Sequence, residues 1–238
     1  MKANQTDCTF SSFAGRMAVY CPAARVRHGD TVRHSVRTRA GSGLLQWAQS
    51  LSKRPEESKA KRELLNAVDG TSRGVQLGAR PAVEAAVDSL AAISGGDNAQ
   101  QCSGVWRLLW TSERETLFLL KSGLPFVGAA GESYQVIDVH AGTLSNVILF
   151  DDDRAAFVVR ARCARESRVR TSFKFTSAEL HVPGRDAPFI VPPFGSGWFD
   201  SLYLSDPGSG SPQLRVARDS RGDTLVVERC RNVKVPFV

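Results

Sequence analysis

Two hydrophobic periods divide the chain near residue 104. Ahead of that point apolar residues recur at helical spacing. Glu56 to Val68 carries Leu64, Leu65 and Val68 on one stripe, with Pro55 at its start and Asp69-Gly70 at its end. Thr71-Ser72-Arg73-Gly74 follows as a polar connector. A second helix opens with Pro81 in its first turn, carries Val83, Ala86, Val87, Leu90 and Ile93 along one face, and stops at Gly95-Gly96. These segments predict a short helical cap ahead of a sheet.

From residue 104 onward the alternation is that of strands. In Arg168 to Thr176, Val169, Thr171, Phe173 and Phe175 share one face while Arg168, Arg170, Ser172 and Lys174 share the other. That is the pattern of a half-buried antiparallel strand. Further strands are predicted over 105–111, 116–120, 133–139, 144–150, 155–161, 179–182, 198–204, 213–217 and 223–228. Turn chemistry separates them at His140-Ala141-Gly142, Asp151-Asp152-Asp153, Pro183-Gly184-Arg185 and Arg221-Gly222-Asp223. Short strands without intervening helices favour a closed or nearly closed antiparallel β-barrel over a parallel sheet. The series opens with Gly104-Val105-Trp106, a glycine that permits close backbone packing followed by an indole able to plug a barrel end.

Charge changes this picture only at the N-terminus. The formal net charge is +7 over 238 residues. Lys2, Arg16, Arg25, Arg27, Arg33, Arg37 and Arg39, set against Asp7 and Asp30, place most of it in residues 1–40. The body is nearly balanced. The first 40 residues are Arg-rich, acid-poor and sprinkled with Ser and Thr, the composition of an organelle transit peptide. Cys102, Cys163 and Cys230 are widely spaced and form no C-x-x-C, which argues against a disulfide framework and against a zinc site. The most apolar stretch, Leu117 to Gly131, is interrupted by Lys121, Gly123, Pro125 and Gly128 and falls short of the roughly 20 apolar residues a membrane span needs.

Catalytic signals are sparse. Outside the tail only His140 and His181 remain among histidines, and no metalloprotease, nucleophile-elbow, Walker or Rossmann motif occurs. Gly195-Ser196-Gly197 precedes a strand, so it lacks the helix N-terminus that phosphate binding exploits. Arg160, Arg162, Arg165, Arg168, Arg170 and Lys174 gather on two neighbouring strands and their turn. They read either as a solvated sheet face or as a contact for anionic lipid headgroups. Nucleic acid is disfavoured, because no aromatic residues interleave with these cations to stack bases.

Five segments in order resemble one family, the plastid lipid-associated proteins, also called fibrillins. They are Glu63-Leu64-Leu65-Asn66-Ala67-Val68 with Thr71-Ser72-Arg73-Gly74; Gly104 to Ser112; Tyr134-Gln135-Val136-Ile137-Asp138; Leu144-Ser145-Asn146-Val147-Ile148; and Gly195 to Leu204 with Leu214 to Gly222. Two departures stand out: 205–212 resembles an insertion, and Gln213 stands where the family usually has an acid, with Asp206 a displaced candidate for it.

The resemblance implies a mainly β, lipocalin-like antiparallel barrel with a short N-terminal helical cap. It implies a transit peptide over 1–40, a linker over 41–55 and the family domain over 56–234. It also implies a plastid protein without enzymatic activity, metal or cofactor, which binds or organises carotenoids, prenylquinones or acyl lipids at thylakoids or plastoglobules. Tyr134, Phe150, Phe157, Phe173 and Phe175 are then candidates to line a cavity. Gly104, Trp106 and Arg215 are candidates to close the barrel, with the guanidinium packed across the indole. Two other readings stay open: a ligand-free protein that coats plastid lipid bodies through its surface, and an enzyme acting on a prenyl lipid through Asp138, Glu132, His140 or His181. For the N-terminus the expected outcome is direct: a reporter fused behind residues 1–40 enters plastids, and a reporter left in the cytosol refutes the transit reading.

Overall fold

The computed structural model describes residues 41–94, 98–125, 127–192, 195–206 and 212–238, with side chains from residue 55 onward. The transit segment, Gly95-Gly96 and residues 207–211 of the expected insertion lie outside the described residues. The chain is mainly β, with strands β1 (Gly104–Thr111), β2 (Ala130–Asp138), β3 (Thr143–Phe150), β4 (Ala155–Arg165), β5 (Arg170–His181), β6 (Phe189–Val191), β7 (Ser196–Leu204), β8 (Leu214–Asp219) and β9 (Thr224–Cys230). All pairings are antiparallel. Their order is β4-β3-β2-β1-β9-β8-β7-β5, with β4 and β5 also paired, so eight strands close a ring and β6 is appended to β5.

Four register shifts interrupt the ladders, and besides the one on β2 between Ala130 and Ser133, those on β1, β5 and β7 move large side chains between the faces. Leu109 is an extra residue between the pairs Leu108↔Val227 and Trp110↔Val226. Trp106 and Leu108 therefore point into the ring while Trp110 points out of it. Thr176 lies between the pairs Ala161↔Phe175 and Arg160↔Ser177. Leu202 lies between Ser201↔Ala217 and Tyr203↔Val216. Each inverts the alternation of its strand.

The outward residues so produced need cover. Helix α1 (Gly41–Val68) and helix α2 (Arg80–Ile93) provide it, laying Ala60, Leu64, Val68, Val83, Val87 and Leu90 on Trp110, Tyr203, Leu214, Val216 and Val226. Each such Leu or Val, once fully buried, contributes roughly 1.5–3 kcal/mol. The residues expected as a linker, 41–55, are helical, and Pro55 sits inside α1 and not at its start. Between the helices Ser72 and Arg73 adopt positive φ, and Arg73 Nη1 donates to the Gly131 carbonyl on β2. A Cβ on Gly74 would lie 2.1 Å from the Thr111 carbonyl oxygen, so the connector admits only glycine there.

A second outer patch, Val147, Leu149, Ala156 and Val158, is covered by the C-terminal residues Val235 and Phe237. A four-residue helix, α3 (Asn98–Gln101), leads into β1, and Asn98 Nδ2 donates to the Ser201 carbonyl at 2.9 Å.

The strands expected over 168–176 and 179–182 are one strand, β5, and another predicted strand is corrected. Thr116–Leu120 belongs to helix α4 (Arg114–Ser122), built from good helix formers and ended by Gly123 at φ 61°. The short apolar run is set by contacts no local pattern reveals: Leu119 and Leu120 pack on Ile148, Phe150 and Ala155 inside the ring. The helical cover yields the stability expectation. Leu64→Ala or Leu90→Ala lowers the unfolding free energy by about 2–5 kcal/mol in urea denaturation, while the exposed Leu77→Ala stays within about 0.5 kcal/mol.

Candidate functional site

The inner face of the ring holds two apolar clusters with polar groups among them. Around Trp106 stand Cys102, Leu108, Ile137, Leu144, Ala161, Phe199, Ala217 and Val227, with Phe173 and Phe175 packed against them. Around Phe150 stand Ile148 and Ala155, with Phe157 and α4. Gln135 and Asn146 pair across β2 and β3 and face the same interior, joined by a 2.9 Å bond from Gln135 Nε2 to Asn146 Oδ1.

The expected closure residues come together. Trp106 is fully buried, and its Nε1 donates to the Cys102 carbonyl at 2.8 Å. The Arg215 guanidinium carbon lies 5.3 Å from the Trp106 ring and 5.4 Å from that of Phe199. A second cation, Arg229, lies nearer the indole, at 4.5 Å. Gly104 has φ 146°, and a Cβ there would stand 2.9 Å from Arg229 Nη1, so the glycine admits that guanidinium.

Arg215 is the unexpected group. It is fully buried and donates from Nη2 to Gln135 Oε1, yet Nε and Nη1 have no acceptor among the described residues. Burial pulls its pKa down to about 10, aided by the neighbouring charge of Arg229. The Cys102 thiol beside it is raised by burial and so stays protonated at neutral pH. Each unmet buried donor costs about 1–3 kcal/mol, and an uncompensated buried charge costs several more.

The aromatic candidates divide. Phe150 is fully buried within the interior. Phe157, Phe173 and Phe175 also face inward, but they are only partly buried, as are Gln135, Asn146 and Val159. Solvent therefore reaches this side of the interior. Phe173 meets Phe175 with rings tilted at 5.1 Å and stacks on Phe199 at 6.4 Å. Tyr134 is corrected: with Gln135 turned inward, Tyr134 points outward and packs on the patch beneath Val235 and Phe237. Gln213, standing for the usual acid, donates from Nε2 to the Asp206 carbonyl at 3.3 Å and lines an outer cleft with Gly104 and Arg229.

The six surface cations do not act as one group. Arg170 forms two 2.8 Å bonds to Asp200 and stacks 3.6 Å over Trp198. Arg160 is paired with Glu179 at 3.2 Å and donates to the Phe237 carbonyl at 2.8 Å. Arg165 is exposed and bonds the Ser167 carbonyl and Gln100, and Arg168 is exposed in the same turn. Arg162 and Lys174 are exposed and face each other across β4 and β5, two like charges side by side. Beside this face, β6 presents Phe189, Ile190 and Val191, all exposed.

Of the polar groups considered for chemistry, Asp138, His181 and Glu132 each meet a partner on the scaffold. Asp138 Oδ1 accepts from the backbone amides of His140 and Ala141 at 2.9 Å each. His181 contacts Glu179 at 3.2 Å, and Glu132 faces Arg107 at 3.5 Å.

The PAP_fibrillin family model matches residues 58–228. The chain is 37% identical over 177 residues to "Probable plastid-lipid-associated protein 11, chloroplastic" of Arabidopsis thaliana, covering 72% of this chain and 79% of that one. No solved structure matches.

The closure geometry sets two opposite expectations. Trp106→Ala removes a filled volume and lowers stability by about 3–5 kcal/mol. Arg215→Met keeps length while deleting an uncompensated charge, so the ligand-free protein melts at the same temperature or higher. A large loss for Arg215→Met, with Trp106→Ala tolerated, would mean that the guanidinium and not the indole holds this end.

Proposed function

The chain belongs to the PAP_fibrillin family, and from that membership we propose that its ring of strands is a lipocalin-like barrel that binds or organises small apolar molecules. Carotenoids, prenylquinones and acyl lipids are the classes meant. The protein is a plastid protein, as its chloroplastic relative is. Within the plastid the reading assigns it to thylakoids or plastoglobules. Residues 1–40 act as its transit peptide and 56–234 as its functional domain.

The observation that carries the reading is the inner face itself. Phe157, Phe173 and Phe175 lie on the inner face of a closed ring and are only partly buried, so they leave apolar surface for an occupant to cover. Binding then proceeds by burial, worth about 25 cal/mol for each Å² of apolar ligand removed from water. No catalytic step and no cofactor enters. Gly104, Trp106 and Arg215 close one end, and the occupant lies on the side of Phe157 and Phe175.

A second reading, a ligand-free coat on plastid lipid bodies, is favoured by one feature. Phe189, Ile190 and Val191 are 46%, 65% and 40% exposed on β6, with Arg185 stacked 4.1 Å over Phe189. Apolar side chains flanked by cations suit a lipid surface with anionic headgroups. Recovery of the protein from pigmented plastids, followed by mass spectrometry of what it carries, separates the two. One apolar molecule per chain is expected; an empty protein that binds lipid vesicles would overturn the carrier reading in favour of the coat.

A further inference from the structure

We infer that the interior takes an apolar acid, whose carboxylate docks on Arg215 while its tail lies along Phe173 and Phe175. The inference rests on the carrier reading above and adds the chemical class of the ligand's head.

The interior holds an unbalanced charge. Arg215 faces inward from β8 and is fully buried, and among the described residues its one acceptor is the neutral amide of Gln135. Nε and Nη1 lack acceptors among the described residues. Two ionisable groups act on it: Cys102, whose thiol burial keeps protonated at neutral pH, and Arg229, whose charge has the same sign. Ser201 Oγ is also buried without a hydrogen-bond partner, on the same inner face and opposite Ala217, two residues beyond Arg215. A neutral alcohol or quinone oxygen could accept from one of these donors but would leave the charge uncompensated. A monoanion meets both needs, since a carboxylate accepts charge-assisted bonds and neutralises one guanidinium.

The tail follows from what adjoins that charge. Phe199 touches both Arg215 and Phe173, and Phe173 continues to Phe175. Gln135 stands between the buried guanidinium and the side of the interior that solvent reaches, being bonded to Arg215 and only partly buried itself. A head entering past Phe175 exchanges the amide contact for its own.

The test uses the full chain and two fluorescent probes of the same tail, cis-parinaric acid and methyl cis-parinarate, titrated at neutral pH. The wild type should bind the acid about tenfold or more tightly than the ester, and Arg215→Met should bring the two within about twofold by weakening the acid alone. Equal binding of acid and ester by the wild type overturns this inference and leaves the carrier reading standing. Binding of neither overturns both. An acid preference that survives Arg215→Met but disappears in Arg162→Gln/Lys174→Gln places the anion on the outer face and also overturns it. A second measurement does not depend on the variant folding: carboxyl-labelled [13C]oleate bound to the wild type should stay ionised to lower pH than the same acid in detergent. Titration unchanged from detergent would be decisive against Arg215.

Discussion

A strand edge is a row of unpaired amides and carbonyls, and here the two edges a flat sheet would leave are joined by the pairing of β4 with β5. That closure creates an inside, and the rest of the structure answers to it. Bulges at Leu109, Thr176 and Leu202 turn each strand partway along, so one sheet supplies an inner cluster around Trp106 and an outer cluster around Trp110. The outer cluster would be exposed without α1 and α2. A second outer patch would be exposed without Val235 and Phe237. The helices and the C-terminal residues are consequences of a ring whose strands are apolar on both faces.

The helical stripes were legible in the sequence because Leu64, Val68, Val83, Val87 and Leu90 keep strict helical spacing. The strands were legible for the same reason at period two. Three things were not. Arg114–Ser122 is too short for periodicity to separate helix from strand, and its contacts with Phe150 come from distant residues. The bulges carry no local signal, so Trp110 and Tyr203 change sides unannounced. Tyr134 shows the third limit: alternation tells which residues share a face, not which face is inside. On β2 the apolar Tyr134 and Val136 face out beneath the C-terminal residues, while Ser133 and Gln135 face in.

Trp106 and Arg215 were paired through the family resemblance, and they do meet, with Gly104 standing beside Arg229. What spacing could not reveal is that Arg215 has no counter-charge among the described residues. Its contacts with two aromatic rings recover part of the cost of burying it, about 2 kcal/mol for each desolvated contact. The remainder stands as a stability deficit in the ligand-free protein, the kind of local sacrifice that binding sites make. Structure and function therefore ask different things of the same side chain.

The seam between β1 and β9 joins residues 105–111 to residues 225–230. The first strand of the ring thus finds its second partner only when nearly the whole chain is available, and the entropy of closing that long loop must be met before the pairing returns anything. Folding is then late and slow compared with that of a helical protein of this size, and β1 stays an open edge throughout synthesis and any passage across a membrane. During that interval the unpaired edge of β1 is open to a neighbour's strand.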